Sequence, residues 1–178
     1  MRDMIKMGLI LLLITSISGL VLGVTNSMTE GIILERSMAG EIESLQSLIP
    51  DADSFEPVSD SAIDEAGSVK EVFAGKSGDA VVGYTIKVTA NGYGGVVEMM
   101  VGINDSHEIA GVDILTQTET PGLGTKITED NFRDQFVGLS TDGSVTVDAI
   151  AGATVSSDAV NQGVRTAAAL YEEALRNR

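Results

Sequence analysis

The sequence predicts an α+β fold: an antiparallel sheet packed by helices, preceded by one N-terminal transmembrane helix. Three features predict it. Residues Met7–Val24 carry no charged side chain. Four apolar or alternating runs between Val69 and Thr116 are separated by turn residues, and the C-terminal stretch repeats apolar side chains at three- and four-residue steps.

The 178 residues suit one folded domain plus an appendage. There is no cysteine, and His107 is the single histidine. Thiolate-held iron–sulfur clusters, CxxCH haem attachment and Cys/His zinc sites are therefore excluded, and redox chemistry has to use an organic cofactor or a weakly ligated metal. The formal net charge of −15 repels a phosphate backbone, so nucleic acid is not expected as a partner. Few aromatic residues leave a core of Val, Ile, Leu, Ala and Met.

Residues 1–6 read as a cytoplasmic N-terminus and 7–24 as a transmembrane helix. At ~1.5 Å rise per residue this stretch spans about 27 Å, close to a bilayer's hydrocarbon core. Arg2 and Lys6 precede it and Glu30 and Glu35 follow it, which leaves the acidic domain on the outer face of the membrane. A cleaved signal peptide, with Val21 and Gly23 at its cleavage site, is the competing reading, and both export the domain. Residues 25–67 form a membrane-proximal helix and an acidic connection. Thr29–Leu48 carries an apolar stripe of Ile33, Met38, Ile42, Leu45 and Leu48, and Pro50 ends it. Asp51–Gly67 reads as a solvated connection, with no spacing that suits a calcium loop.

Residues 68–178 form the folded domain. Val69–Ala74, Val81–Ala90, Val96–Ile103 and Ile109–Thr116 are the expected strands. Asn91-Gly92-Tyr93-Gly94-Gly95 and Asn104-Asp105-Ser106-His107 look like hairpin connections. Thr128–Phe136 reads as a short helix capped by Thr128, with Phe132 and Phe136 on one face. Ser144–Ile150 alternates like a further strand. The chain closes on a helix from about Asp158 to Leu175, with Val160, Val164, Ala167, Tyr171 and Ala174 as its buried stripe.

Two segments carry the candidate chemistry. Between the last expected strand and the last helix lies Ala151-Gly152-Ala153-Thr154-Val155-Ser156-Ser157-Asp158. Gly152 and Ala153 leave the backbone uncrowded, while Ser156, Ser157 and Asp158 all suit a helix N-cap. The amides and dipole of a helix N-terminus favour a bound phosphate, beside which the Thr154 hydroxyl would lie. By itself this reads first as an ordinary strand-to-helix turn with a generous cap. The second segment is Thr118-Glu119-Thr120-Pro121-Gly122-Leu123-Gly124, whose Pro-Gly step signals a turn. Such a loop either merely turns the chain or lies flat against a planar ligand with its amides at the ligand's polar edge.

Taken together, ETPGLG (Glu119–Gly124) followed by AGAT-x-SS (Ala151–Ser157) resembles the FMN-binding domain of the G subunit of the Rnf electron-transport complex, a domain shared with the similar C subunit of the sodium-translocating NADH:quinone oxidoreductase. The resemblance covers the whole chain and implies FMN joined by a phosphoester to Thr154, with a flavin transferase using FAD and a divalent metal for maturation. It implies a complex of other membrane and redox subunits that couples ferredoxin:NAD electron transfer to sodium or proton translocation, in a bacterial or archaeal cell membrane. The flavin site is expected at Thr154, Gly152, Ala153, Ser156, Ser157, Glu119, Thr120, Pro121, Gly122, Leu123, Gly124 and Tyr93, without a metal. Where several relatives carry histidine two residues before the glutamate, this chain has Gln117. As a carrier it is not expected to act as an enzyme alone. The rival readings are an exported binding or scaffold module whose glycine loops are structural, and a flavinylated carrier of an extracellular electron-transfer chain. His107 reads as a solvated surface residue. Asp148 reads as a solvent-facing strand carboxylate, or as a residue that serves the transferase's metal.

Overall fold

The computed structural model describes residues 2–59, 67–143 and 145–176. Arg2–Leu48 form helix α1. Both helical stretches expected before Pro50 fall within it. The proline lacks an N–H and restrains the residue before it, so the helix stops two residues short of Pro50. Ile5–Thr25 is long and apolar enough to cross a membrane. The chain divides into two compact units, Met1–Gly40 and Glu41–Arg178.

In the second unit five strands form one sheet in the order β1-β2-β3-β4-β5: β1 (Ser54–Pro57), β2 (Val69–Ser77), β3 (Ala80–Asn91), β4 (Val96–Asn104) and β5 (Ile109–Thr116). Every neighbouring pair is antiparallel. This is the expected fold class, and the four expected strands are β2 to β5. Helix α2 (Asp130–Arg133) lies between two 3-10 turns, Gly124–Thr128 and Asp134–Phe136. Helix α3 (Thr154–Leu170) continues into a π-helical turn, Tyr171–Leu175.

Both faces of the sheet are covered. Val160, Val164, Ala167 and Tyr171 of the C-terminal helix pack with Val88, Met99, Val101 and Ile103 of the sheet in the main core. Phe132 and Phe136 join it, edge to face at 5.7 Å. Against the other face lie Leu45 and Leu48 of α1 with Ile49 and Met100. Leu48 seats where the cross-strand partners Gly102 and Gly111 leave no room for a Cβ. Of the stripe expected on this helix Leu45 and Leu48 are buried and Ile42 is exposed; the side chains of Ile33 and Met38 lie outside the described ones.

Four local expectations are corrected. Part of the supposed solvated connection is β1, an edge strand whose residues are mostly exposed; residues 60–66 of that connection lie outside the described residues. The run read as a strand at Ser144–Ile150 has no strand pairing at residues 145–150, and Ser144 lies outside the described residues. The backbone of Val147 is paired instead by the Asn161 side chain of α3, its N–H donating at 3.0 Å and its C=O accepting at 3.3 Å. Thr128 is not a cap: α2 starts after Glu129 and has no side-chain cap. His107 is half-buried at φ +63°, with its Nδ1 2.6 Å from the Tyr171 hydroxyl.

Lys87, on β3, is mostly buried and meets Glu41 at 3.1 Å and Glu71 and Glu98 at 3.5 Å. Burial works against its ammonium, but the hydrogen bond to Glu41 and the fields of Glu41, Glu71 and Glu98 outweigh it and raise its pKa. Burial also raises the phenols of Tyr84 and Tyr171, the latter aided by Glu172. All three groups bind their protons more tightly in the folded chain. Their contribution to stability is complete below the ordinary values, 10.0 for tyrosine and 10.5 for lysine, and is lost as pH rises through the folded values. Melting temperature is therefore expected to fall steeply above about pH 10. Tyr171→Phe should begin lower, because His107 loses its partner, but decline less steeply. A parallel decline in parent and variant would remove Tyr171 from this account.

Candidate functional site

Thr154 is the first residue of α3, four positions before the start expected from the sequence. The helix takes Ala153 as its N-cap, without a side-chain cap, so Ser156, Ser157 and Asp158 lie inside the first turns. Ser157 turns back: its hydroxyl donates to the Ala153 carbonyl at 3.0 Å and accepts from the Ile150 N–H at 3.0 Å. Gly152, at φ +81°, makes the bend that brings the chain into the helix, a conformation that side chains with a Cβ resist. The first intrahelical bond at this end runs from the Ser157 N–H to Ala153 O at 3.0 Å. The amides of Thr154, Val155 and Ser156 therefore stand ahead of the helix's own bonding and define a positive end.

Opposite this end lies the loop that follows β5. The Glu119 N–H donates to Gln117 Oε1 at 2.7 Å, which gives the departure at position 117 a role in setting the loop. The Leu123 and Thr125 N–H groups both donate to the Thr120 carbonyl, at 3.1 and 3.2 Å, and the Gly122 N–H donates to Thr125 Oγ1 at 2.9 Å. The third wall is the β3–β4 hairpin, tied to the loop by the Thr118 hydroxyl donating to Gly94 O at 3.2 Å.

These three segments enclose a cleft of about 560 Å³ lined by Tyr93, Glu119, Thr120, Leu123, Gly124, Gly152, Ala153, Thr154, Val155 and Ser156. Nine of these ten were expected from the sequence. Val155 was not; as an apolar residue in the first turn of a helix it resembles any core position, though it is 51% exposed here. Pro121, Gly122 and Ser157 do not line the cleft. Asp148 is exposed, and no group of three or more His, Cys, Asp or Glu suited to a metal occurs among the described residues.

The donor set and shape fit FMN. Tyr93, Leu123 and Val155 place exposed apolar surface around the cleft, which suits a flat aromatic ring. Free amides and an exposed hydroxyl at the helix start suit a phosphate. The volume falls in the range of small-molecule sites, ~300–1,000 Å³.

The FMN-binding domain family matches residues 92–169, which include both motifs and the tip of the β3–β4 hairpin. The G subunit of the sodium-translocating ferredoxin:NAD oxidoreductase complex of Acetobacterium woodii is 34% identical, over 94% of this chain and 91% of that protein. The G subunit of the ion-translocating oxidoreductase complex of Methanosarcina acetivorans is 32% identical, over 93% of each chain. The chain belongs to this family, the G subunits of Rnf-type ion-translocating oxidoreductase complexes, as its two motifs led one to expect. Its FMN-binding domain makes it an electron-carrying subunit. The crystal structure of Shewanella oneidensis NqrC shares the fold, with a TM-score of 0.50 at 16% identity over 64% of this chain and 77% of that one.

Proposed function

We propose that this chain is the electron carrier of a membrane-bound complex that couples ferredoxin:NAD electron transfer to ion translocation, and that it holds FMN through a phosphoester to Thr154. The observation that carries the attachment is the state of three neighbouring hydroxyls. Ser156 and Ser157 are buried, and both already donate hydrogen bonds within the chain. Thr154 is exposed, and among the described residues its hydroxyl has no hydrogen-bond partner. Attachment needs a hydroxyl that a transferase can reach. With FAD as donor, the Thr154 oxygen bonds to the FMN phosphorus, the pyrophosphate bond breaks, AMP leaves, and the hydroxyl proton passes to base.

The free amides of Val155 and Ser156 and the dipole of α3 favour the remaining phosphodiester charge. Tyr93, Leu123 and Val155 would hold the ring by apolar contact, and Thr120 lines the same cleft. Bound FMN supplies the electron chemistry that a chain without cysteine cannot. Mass spectrometry of the chain co-expressed with a flavin transferase should find an FMN-sized addition on Thr154. A colourless, unmodified chain would favour a binding module whose glycine loops are structural.

We infer that the domain lies on the outer face of the membrane, a reading supported by Arg2 and Lys6 at the N-terminal end of the apolar span. Protease added to intact spheroplasts is expected to digest it. Protection until lysis would reverse the orientation.

A further inference from the structure

The Glu119 side chain does something that its place in the loop motif does not suggest. It is only 4% exposed. One oxygen, Oε1, accepts the Gly94 N–H at 3.0 Å, and the other, Oε2, accepts the Ser156 hydroxyl at 2.5 Å. Its partners are 25 residues before it and 37 after it. The two bonds reach the hairpin tip and the first turn of α3, while Glu119 itself opens the glycine-rich loop. One carboxyl group thus meets all three walls of the cleft.

The glycines around it are explained by the same group. A Cβ on Gly92 would collide with Glu119 Oε1. On Gly124 it would come within 2.8 Å of both Glu119 Oε2 and Ser156 Oγ. These two positions lack side chains because the glutamate occupies the space, whether or not a ligand is bound. Gly122, in the same motif, has open space around its Cβ position.

We propose that Glu119 is a positioning residue: its carboxyl group clasps the hairpin, the loop and the start of α3 into one cleft, and acts on the flavin through them without touching the ring. The alternative is a carboxylate facing the isoalloxazine, which would oppose the negative charge that gathers there on reduction. The two roles make different demands on the side chain. A clasp needs length and hydrogen-bonding atoms, not charge. Glutamine keeps the length, can accept from Gly94 and can donate its NH2 to the Ser156 oxygen, whereas aspartate is one methylene too short to reach both partners. The effect on the ring rests on FMN being joined to Thr154; the clasp itself does not.

The test uses the full chain in detergent, with and without flavin transferase. Without flavin, hydrogen-exchange mass spectrometry resolving the Gly94 amide should show exchange faster by about tenfold or more in Glu119→Ala than in the parent, with Glu119→Gln close to the parent. With flavin, Glu119→Gln should match the parent in visible circular dichroism and midpoint potential, while Glu119→Ala and Glu119→Asp should show a less ordered ring, read as lower flavin anisotropy. Should Glu119→Ala fail to fold, Ser156→Ala removes only the link to α3; Gly94 should then stay protected while anisotropy falls. Unchanged Gly94 exchange in Glu119→Ala, a raised potential in Glu119→Gln, or parental anisotropy in Ser156→Ala would each overturn the clasp. A parent chain that takes up no flavin on Thr154 would instead overturn the attachment, and the Gly94 measurement would still decide the clasp.

Discussion

Thr154→Ala, co-expressed with a flavin transferase, is expected to yield a folded chain that carries no flavin. The fold should barely notice the change. Thr154 is exposed, its hydroxyl holds no other group among the described residues, and alanine suits a helix better than threonine. The stability change should stay within about 0.5 kcal/mol. Attachment, by contrast, should be lost entirely, because the phosphoester has no oxygen to form on. Ser157 cannot substitute without giving up its bonds to the Ala153 carbonyl and the Ile150 N–H, nor Ser156 without leaving Glu119. Thr154→Ser should restore flavin, since it restores the hydroxyl at the same helix position. The measurements are intact mass, peptide mapping and retention of yellow colour through denaturation. An FMN-sized addition that persists in Thr154→Ala, or that maps to either serine, would sink the assignment.

The sheet is legible in the sequence because its strands bury one or both faces. Val81–Ala90 and Val96–Ile103 carry enough Val, Ile and Met to show a period, and the hairpins are marked by Asn-Gly and Asn-Asp-Ser turns. Where a backbone finds unusual partners, the pattern fails. Strand β1 is short and mostly exposed, so Ser54–Pro57 has little apolar signal. Residues 145–150 alternate like a strand, yet Asn161 and Ser157 supply the partners that a neighbouring strand would. The sequence places the start of α3 too late because three residues suited to capping follow one another at 156–158. Inside the helix two of them do other work, Ser156 on Glu119 and Ser157 on the preceding bend.

In the site, the two motifs can be read because each is a short stretch of chain. The bonds from Glu119 to Gly94 and Ser156 cannot, because they depend on how the sheet brings distant segments together. Gln117 is, in the sequence, only a departure from a pattern. In the fold it holds the Glu119 amide and so sets the direction from which the glutamate enters the cleft.

The segment before Thr154 is where fold and attachment meet, and Asn161→Leu should expose that link. Asn161 is 2% exposed and satisfies both backbone groups of Val147. Leucine has the same branched outline, is somewhat larger and has no hydrogen-bonding atom, so the substitution leaves an N–H and a C=O without protein partners. A buried group left unpaired costs about 1–3 kcal/mol, and Val147 is half-buried, so water compensates in part. The expected net loss is roughly 2–4 kcal/mol, a fall in melting temperature of roughly 5–10 °C. The helix should survive, because Val160 and Val164 still bury its core face. What loosens is the run from Val145 to Ala153, which delivers Thr154 to the helix start. Flavin uptake should therefore slow at temperatures well below the melting transition, where circular dichroism still reports a folded chain. Uptake at the parent rate would show that the transferase reads the motif without needing the preceding chain held. Parental stability would mean that water replaces Asn161 fully and that the segment has no need of its clamp.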